Sequence, residues 1–121
     1  MTMIMRSIID SLEALFSSFF SSIAPNLYEV LNFHCKKHTG MNFAEATLKN
    51  PKLTYEFLVK FFDSEMAVDV LDYLLSNFLK KYSIRAYGIL KSFKSGDNKK
   101  LIEVAKLYSK VMQNGGGKDR D

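Results

Sequence analysis

The sequence is short of the residues that staple, punctuate or anchor a chain. It has one cysteine, two prolines and no tryptophan in 121 residues. A single cysteine forms no internal disulfide, which points to a reducing interior and a cytoplasmic protein. Three of its six glycines stand together in "NGGGKDRD" at the end, so the body is nearly free of glycine breaks. There is no β-type alternation, no hairpin dipeptide and no internal repeat. Long uninterrupted apolar runs are also missing. "MTMIMRSIIDSLEALFSSFFSSIAPN" begins like a secretory leader, but Asp10 and Glu13 interrupt it. The uncharged remainder is too short and too rich in serine to span a bilayer, so no membrane span is expected.

What is present is apolar and aromatic: 47% of residues are hydrophobic and ten are phenylalanine, enough for one core. Met5, Ile8, Ile9, Leu12, Phe16, Phe19, Phe20 and Ile23 recur at three- and four-residue steps, with serines and charges between them. That spacing predicts an amphipathic helix. Pro25 and Asn26 end it and cap a second helix from Leu27 to about Lys37, closed by the Gly of "HTG". Asn42 caps a short helix ended by Asn50-Pro51. "KLTYEFLVKFF" places Leu53, Phe57, Leu58, Phe61 and Phe62 on one stripe, and Asp63-Ser64 form the next break.

In "SEMAVDVLDYLLSNFLKKY" the inward stripe is expected at Met66, Val70, Leu71, Leu74, Leu75, Phe78 and Leu79. A further helix starts at Ser83 or the long one continues towards Phe93. "SGDN", residues 95 to 98, is a loop, and Leu101, Ile102, Val104, Ala105, Tyr108 and Met112 face inward on a last helix. The expectation is an all-α fold: a single compact bundle of five or six amphipathic helices over residues 1–113, with a disordered Gly-rich charged tail at 114–121.

"FHCKKHTG" contains both histidines and the cysteine. His34 and His38 are one turn apart and Cys35 lies near them, an arrangement that suggests zinc. A structural zinc site uses four ligands, however, and a hydrolytic two-His helix needs Glu directly after the first His, where Cys35 stands. Adjacent helical residues diverge by about 100°, so His34 is poorly placed to activate the Cys35 thiol; His38 is better placed, but the sequence names no third group to orient it. The cluster reads as the edge of a core. No metal, cofactor or catalytic residue is assigned.

Charge is divided along the chain. Residues 80–121 carry eleven Lys or Arg against four Asp or Glu, and residues 1–79 carry six against nine. Lys91, Lys94, Lys99, Lys100, Lys106 and Lys110 form a candidate electrostatic patch for phosphates or an acidic partner. Arginine, which reads bases in pairs of hydrogen bonds, is nearly missing from this region. The helices around "SGDN", with Asn98, Lys99 and Lys100 leading the second, fit a helix-turn-helix or an ordinary αα-hairpin; the hairpin is preferred.

The features Phe33-His34, Gly40, Asn50-Pro51, Phe61-Phe62 and the Met66 to Leu79 helix resemble the small archaeal all-helical output domains labelled NitrOD, over about Val30 to Tyr82. That family usually has Gly where this chain has Asp63-Ser64. The resemblance implies a non-enzymatic module that relays a signal through contacts.

The functional expectation is therefore an interaction or regulatory module with an unidentified protein partner. The alternative is weak, non-specific nucleic-acid binding by the basic C-terminal helices. The broad apolar arc of the first helix adds an expected homodimer, joined through Phe16, Phe19 and Phe20.

Overall fold

A computed structural model describes residues 3–114, with side chains described from Arg6 onward. The Gly-rich tail from Gly115, and the side chains of Met3, Ile4 and Met5, lie outside the described residues. The elements are α1 (Met3–Ile23), α2 (Leu27–Thr39), α3 (Phe43–Lys49), α4 (Pro51–Phe62), α5 (Glu65–Lys80), α6 (Ile89–Ser92), a 3-10 turn (Phe93–Ser95) and α7 (Lys99–Gln113). No strand occurs among the described residues. α4 packs against α2, α3, α5 and the 3-10 turn, while α1 packs against α2, α3 and α7.

The described chain has seven α-helices, where five or six were expected. The added element is α6, a single turn. Residues 81–94 neither extend α5 nor form one helix from Ser83. Ser83 adopts a left-handed φ of 61°. Its N–H donates to Lys80 O and the Ile84 N–H to Leu79 O, at 3.0 and 3.1 Å. This paired closure ends α5, and the buried Ile84 side chain seals it. Other boundaries follow the sequence closely. Gly40, at φ 81°, ends α2, and its N–H donates to Lys36 O. Asn50 Oδ1 accepts from Leu53 N–H ahead of Pro51. Ser64 Oγ accepts from Ala67 N–H to start α5. Asn26 is left-handed and makes no side-chain cap to α2.

Phe16, Phe19 and Phe20 lie at the centre of the core, each 1% exposed. Their rings meet residues from three other helices. Phe16 packs edge-on to Phe43 at 4.8 Å, Phe19 to Phe78 at 5.6 Å, and Phe20 stacks on Tyr28 at 5.8 Å. The expectation that these three rings form a self-association surface is corrected: the broad arc of α1 is consumed because α2, α3 and α5 all reach it. Ile23 and Met112, expected inside, are exposed.

α5 is rotated from its expected register. It buries Val68, Leu71, Asp72, Leu75, Ser76, Phe78 and Leu79, while Met66, Val70 and Leu74 are exposed. Apolar residues occur nearly all round this helix, so hydrophobic periodicity did not distinguish its two faces. Asp72 does. Its Oδ1 accepts from Leu90 N–H and its Oδ2 from Lys91 N–H, both at 3.1 Å. These amides belong to the first turn of α6, whose own preceding residue, Gly88, has no side chain to offer as a cap.

Asp72→Ala is expected to lower unfolding free energy by about 3 kcal/mol, since two amides lose a charged acceptor at a buried position. Asp72→Asn should lose less, about 1–2 kcal/mol, because one amide oxygen can still accept. Urea denaturation of the two variants checks both the size and the order of these losses.

Candidate functional site

The exposed face of α5 has the spacing of a helix that expects a neighbour. Met66, Val70, Tyr73 and Leu74 occupy positions i, i+4, i+7 and i+8, and each is exposed: 74%, 54%, 66% and 38%. Asn77 continues the same line at i+11. The stripe lies opposite the buried line of Val68, Leu75 and Leu79, so no element of the described fold covers it. From Met66 to Asn77 it runs about 16 Å along the helix.

Charged residues border it unequally. Glu65 and Asp69 lie towards the N-terminal end and Lys80 and Lys81 at the C-terminal end. Asp69 and Lys80 flank the stripe on the same side, eleven residues apart. Glu65 is 3.3 Å from Lys94 Nζ, an ion pair open to solvent on both sides. Lys80 Nζ sits 5.8 Å from the centre of the exposed Tyr87 ring. The stripe thus has an acidic beginning and a basic end.

A second feature lies between α2 and α4. His34, Lys37, His38, Phe57, Lys60 and Phe61 line a groove of about 380 Å3. The structure separates the sequence cluster that suggested metal: His34 and His38 are exposed along the groove, while Cys35 is fully buried in the core. The thiol is 3.7 Å from Thr39 Oγ1, and Thr39 in turn donates to Cys35 O at 2.9 Å and accepts from Met41 N–H at 3.1 Å. Burial pushes the Cys35 thiol up, with the Thr39 hydroxyl partly opposing it. That direction disfavours the thiolate, and hence nucleophilic chemistry. No group of three or more His, Cys, Asp or Glu side chains among the described residues could hold a metal ion.

The six candidate lysines are divided among different neighbours. Lys94 pairs with Glu65 beside Tyr55. Lys100 Nζ donates to Tyr87 O at 2.9 Å. Lys106 and Lys110 line a small recess with Ser7, Ile8 and Ser11 of α1. Lys91, within the single turn of α6, and Lys99, at the start of α7, are exposed. Asn98, which would head a recognition helix in the less favoured helix-turn-helix reading, has its amide committed elsewhere: Nδ2 donates to Thr47 O and Leu48 O at 3.2 and 2.9 Å. The helix before the loop is one turn long, too short for the first arm of a helix-turn-helix.

Tyr73, Lys37 and Lys60 were not singled out in the sequence. Tyr73 had a legible signal, since Met66, Val70, Tyr73 and Asn77 form a second stripe in the same helix. Lys37 and Lys60 had none, because their proximity depends on how α2 meets α4. No protein-family model matches the chain, and no solved structure matches its fold. No helix among the described residues is long and apolar enough to cross a membrane.

Cys35 is expected to react with Ellman's reagent only as fast as the fold opens, with immediate reaction in denaturant. Rapid stoichiometric labelling of the native protein would contradict the buried, protonated thiol.

Proposed function

We propose that the protein is a non-enzymatic interaction module that pairs with a second copy of itself through the outward stripe of α5, and that this pairing underlies a regulatory role. The observation that carries the reading is the exposure of Met66, Val70, Tyr73 and Leu74 on one face of one helix. Four large apolar side chains in line form a contiguous patch, and a two-fold contact is the commonest way to cover one. Charge selects the orientation. Antiparallel pairing about an axis near Tyr73 and Leu74 brings Asp69 of each copy towards Lys80 of the other, whereas parallel pairing sets like against like. The resemblance of Val30 to Tyr82 to helical output domains supports the same class of function. A contact made by one helix from each copy is small, which suits reversible, concentration-dependent assembly.

Sedimentation equilibrium over about a hundredfold concentration range tests this reading, with a shift from monomer to dimer expected. Val70→Glu with Leu74→Glu should leave a monomer throughout, with the helical circular dichroism unchanged because both sites are exposed. Asp69→Lys or Lys80→Glu alone should weaken pairing, and the two together should restore it. A wild-type monomer at every concentration rejects the dimer; a dimer that survives the double Glu variant rejects the stripe.

A second reading, non-specific phosphate attraction by the C-terminal helices, draws support from Lys99, Lys106 and Lys110, which share one face of α7 around Glu103. It expects low-salt retention of duplex DNA that falls steeply with added salt and is lost in Lys106→Glu with Lys110→Glu. Retention that is indifferent to salt removes it.

A further inference from the structure

The groove between α2 and α4 joins two properties. The first is a connected run of rings. Phe33 meets His34 at 5.3 Å, His34 meets Phe61 at 5.7 Å, Phe61 meets Phe57 at 5.6 Å, and Phe57 meets His38 at 5.8 Å. Phe57 is a buried floor and Phe61 is half-buried, while Phe33, 57% exposed, stands outside the lining against His34. An apolar ring so open to water leaves a face for another planar group.

The second property is unopposed positive charge. The lining includes the ammonium groups of Lys37 and Lys60 and two imidazoles, and no carboxylate. Glu29 lies five residues before His34 and so points roughly 140° away around α2. Glu56, one turn before Lys60, makes no ion pair with it. The ion pairs among the described residues are Lys49 with Glu45 and Lys94 with Glu65, neither of them at this groove. Lys37 Nζ rests instead over the Phe33 ring, 4.8 Å from its centre. A cation parked on a ring face is free to turn to an anion and uncover that face.

A site with aromatic surfaces and two cations from opposite walls recognises a ligand that is both planar and anionic. We infer that this groove binds a nucleotide, with its phosphate held between Lys37 of α2 and Lys60 of α4 and its base against Phe33, His34 and Phe61. The volume of about 380 Å3 falls within the usual range for small-ligand sites, roughly 300–1,000 Å3. Stacking is tolerant of base identity, so the site reads the combination of ring and phosphate rather than a particular base. A free nucleotide and one unit of a single strand present the same chemistry. This inference is independent of pairing through α5 and of the α7 lysines.

Titration of the full chain with adenosine monophosphate, followed by NMR of the aromatic and amide resonances, tests it. Binding should shift His34, His38 and Phe61. Adenosine alone and inorganic phosphate alone should each bind at least about tenfold more weakly, because each offers half of the recognised chemistry. Lys37→Glu with Lys60→Glu should lower affinity for the nucleotide about tenfold or more. Both lysines are exposed, so folding is preserved. Lys106→Glu with Lys110→Glu, and Val70→Glu with Leu74→Glu, should leave affinity unchanged. A short single-stranded oligodeoxyadenylate separates the two sources: tighter binding that is lost in the Lys37/Lys60 variant identifies a strand, and binding no tighter than the monomer identifies the free nucleotide. No shift in the α2–α4 rings at millimolar nucleotide overturns the inference. So does equal binding of adenosine, or indifference to reversal of the two lysines.

Discussion

Short helices cannot satisfy their own ends, and much of this fold is arranged around that constraint. A helix of seven residues is too short to be stable alone, and one of four has almost no internal hydrogen bonds. α3 and α6 persist because side chains from distant elements take the place of the missing turns. Asn32 Oδ1, from α2, accepts the first N–H of α3 at 2.7 Å. Asn98, at the head of α7, donates to two of the last carbonyls of α3. Asp72, from the middle of α5, accepts two N–H groups of α6. Three polar side chains thereby connect five helices, and all three do so through backbone groups that would otherwise be left open.

That arrangement also explains the surface. Once Asp72 must face α6, the register of α5 is settled, and its second apolar line, Met66 to Leu74, has to point away from the core. The exposed stripe is thus a consequence of a buried hydrogen-bond requirement combined with a helix that is apolar on both sides. A different polar network joins α1 and α2, where the Tyr28 hydroxyl donates to Glu13 Oε1 at 2.6 Å. Burial, with the Glu13 carboxylate second, raises the Tyr28 phenol well above its ordinary range, so it stays a donor.

The sequence made much of the architecture legible wherever a local rule applied. Gly40, Asn50-Pro51 and Ser64 mark helix ends in structure as in sequence, because caps depend on neighbours three or four residues away. The stripe of α7 through Leu101, Val104, Ala105 and Tyr108 was legible too, although Met112, read as inward, is exposed and Leu107 lies among the polar residues of the outer face. The same method failed on α5, where two apolar faces compete and a non-local bond decides. It failed on Ser83, because a serine ahead of a helical pattern reads as a start while here it closes the preceding turn. It also placed Phe16, Phe19 and Phe20 on a surface, since the breadth of an apolar arc does not reveal how many helices will meet it. At the candidate site the histidines were visible as a pair, but the ring run and the facing lysines arise only when α4 is laid against α2.

The Asn98 clamp has a consequence for the order in which the molecule is assembled. Its amide closes carbonyls 50 and 51 residues earlier in the chain. During synthesis α3 therefore leaves the ribosome long before the group that completes its end exists. Until then the Thr47 and Leu48 carbonyls lack the Asn98 donor. Of the three clamps only this one waits on a residue made after the helix it closes, so a chain cut before Asn98 would leave the end of α3 without its side-chain partner.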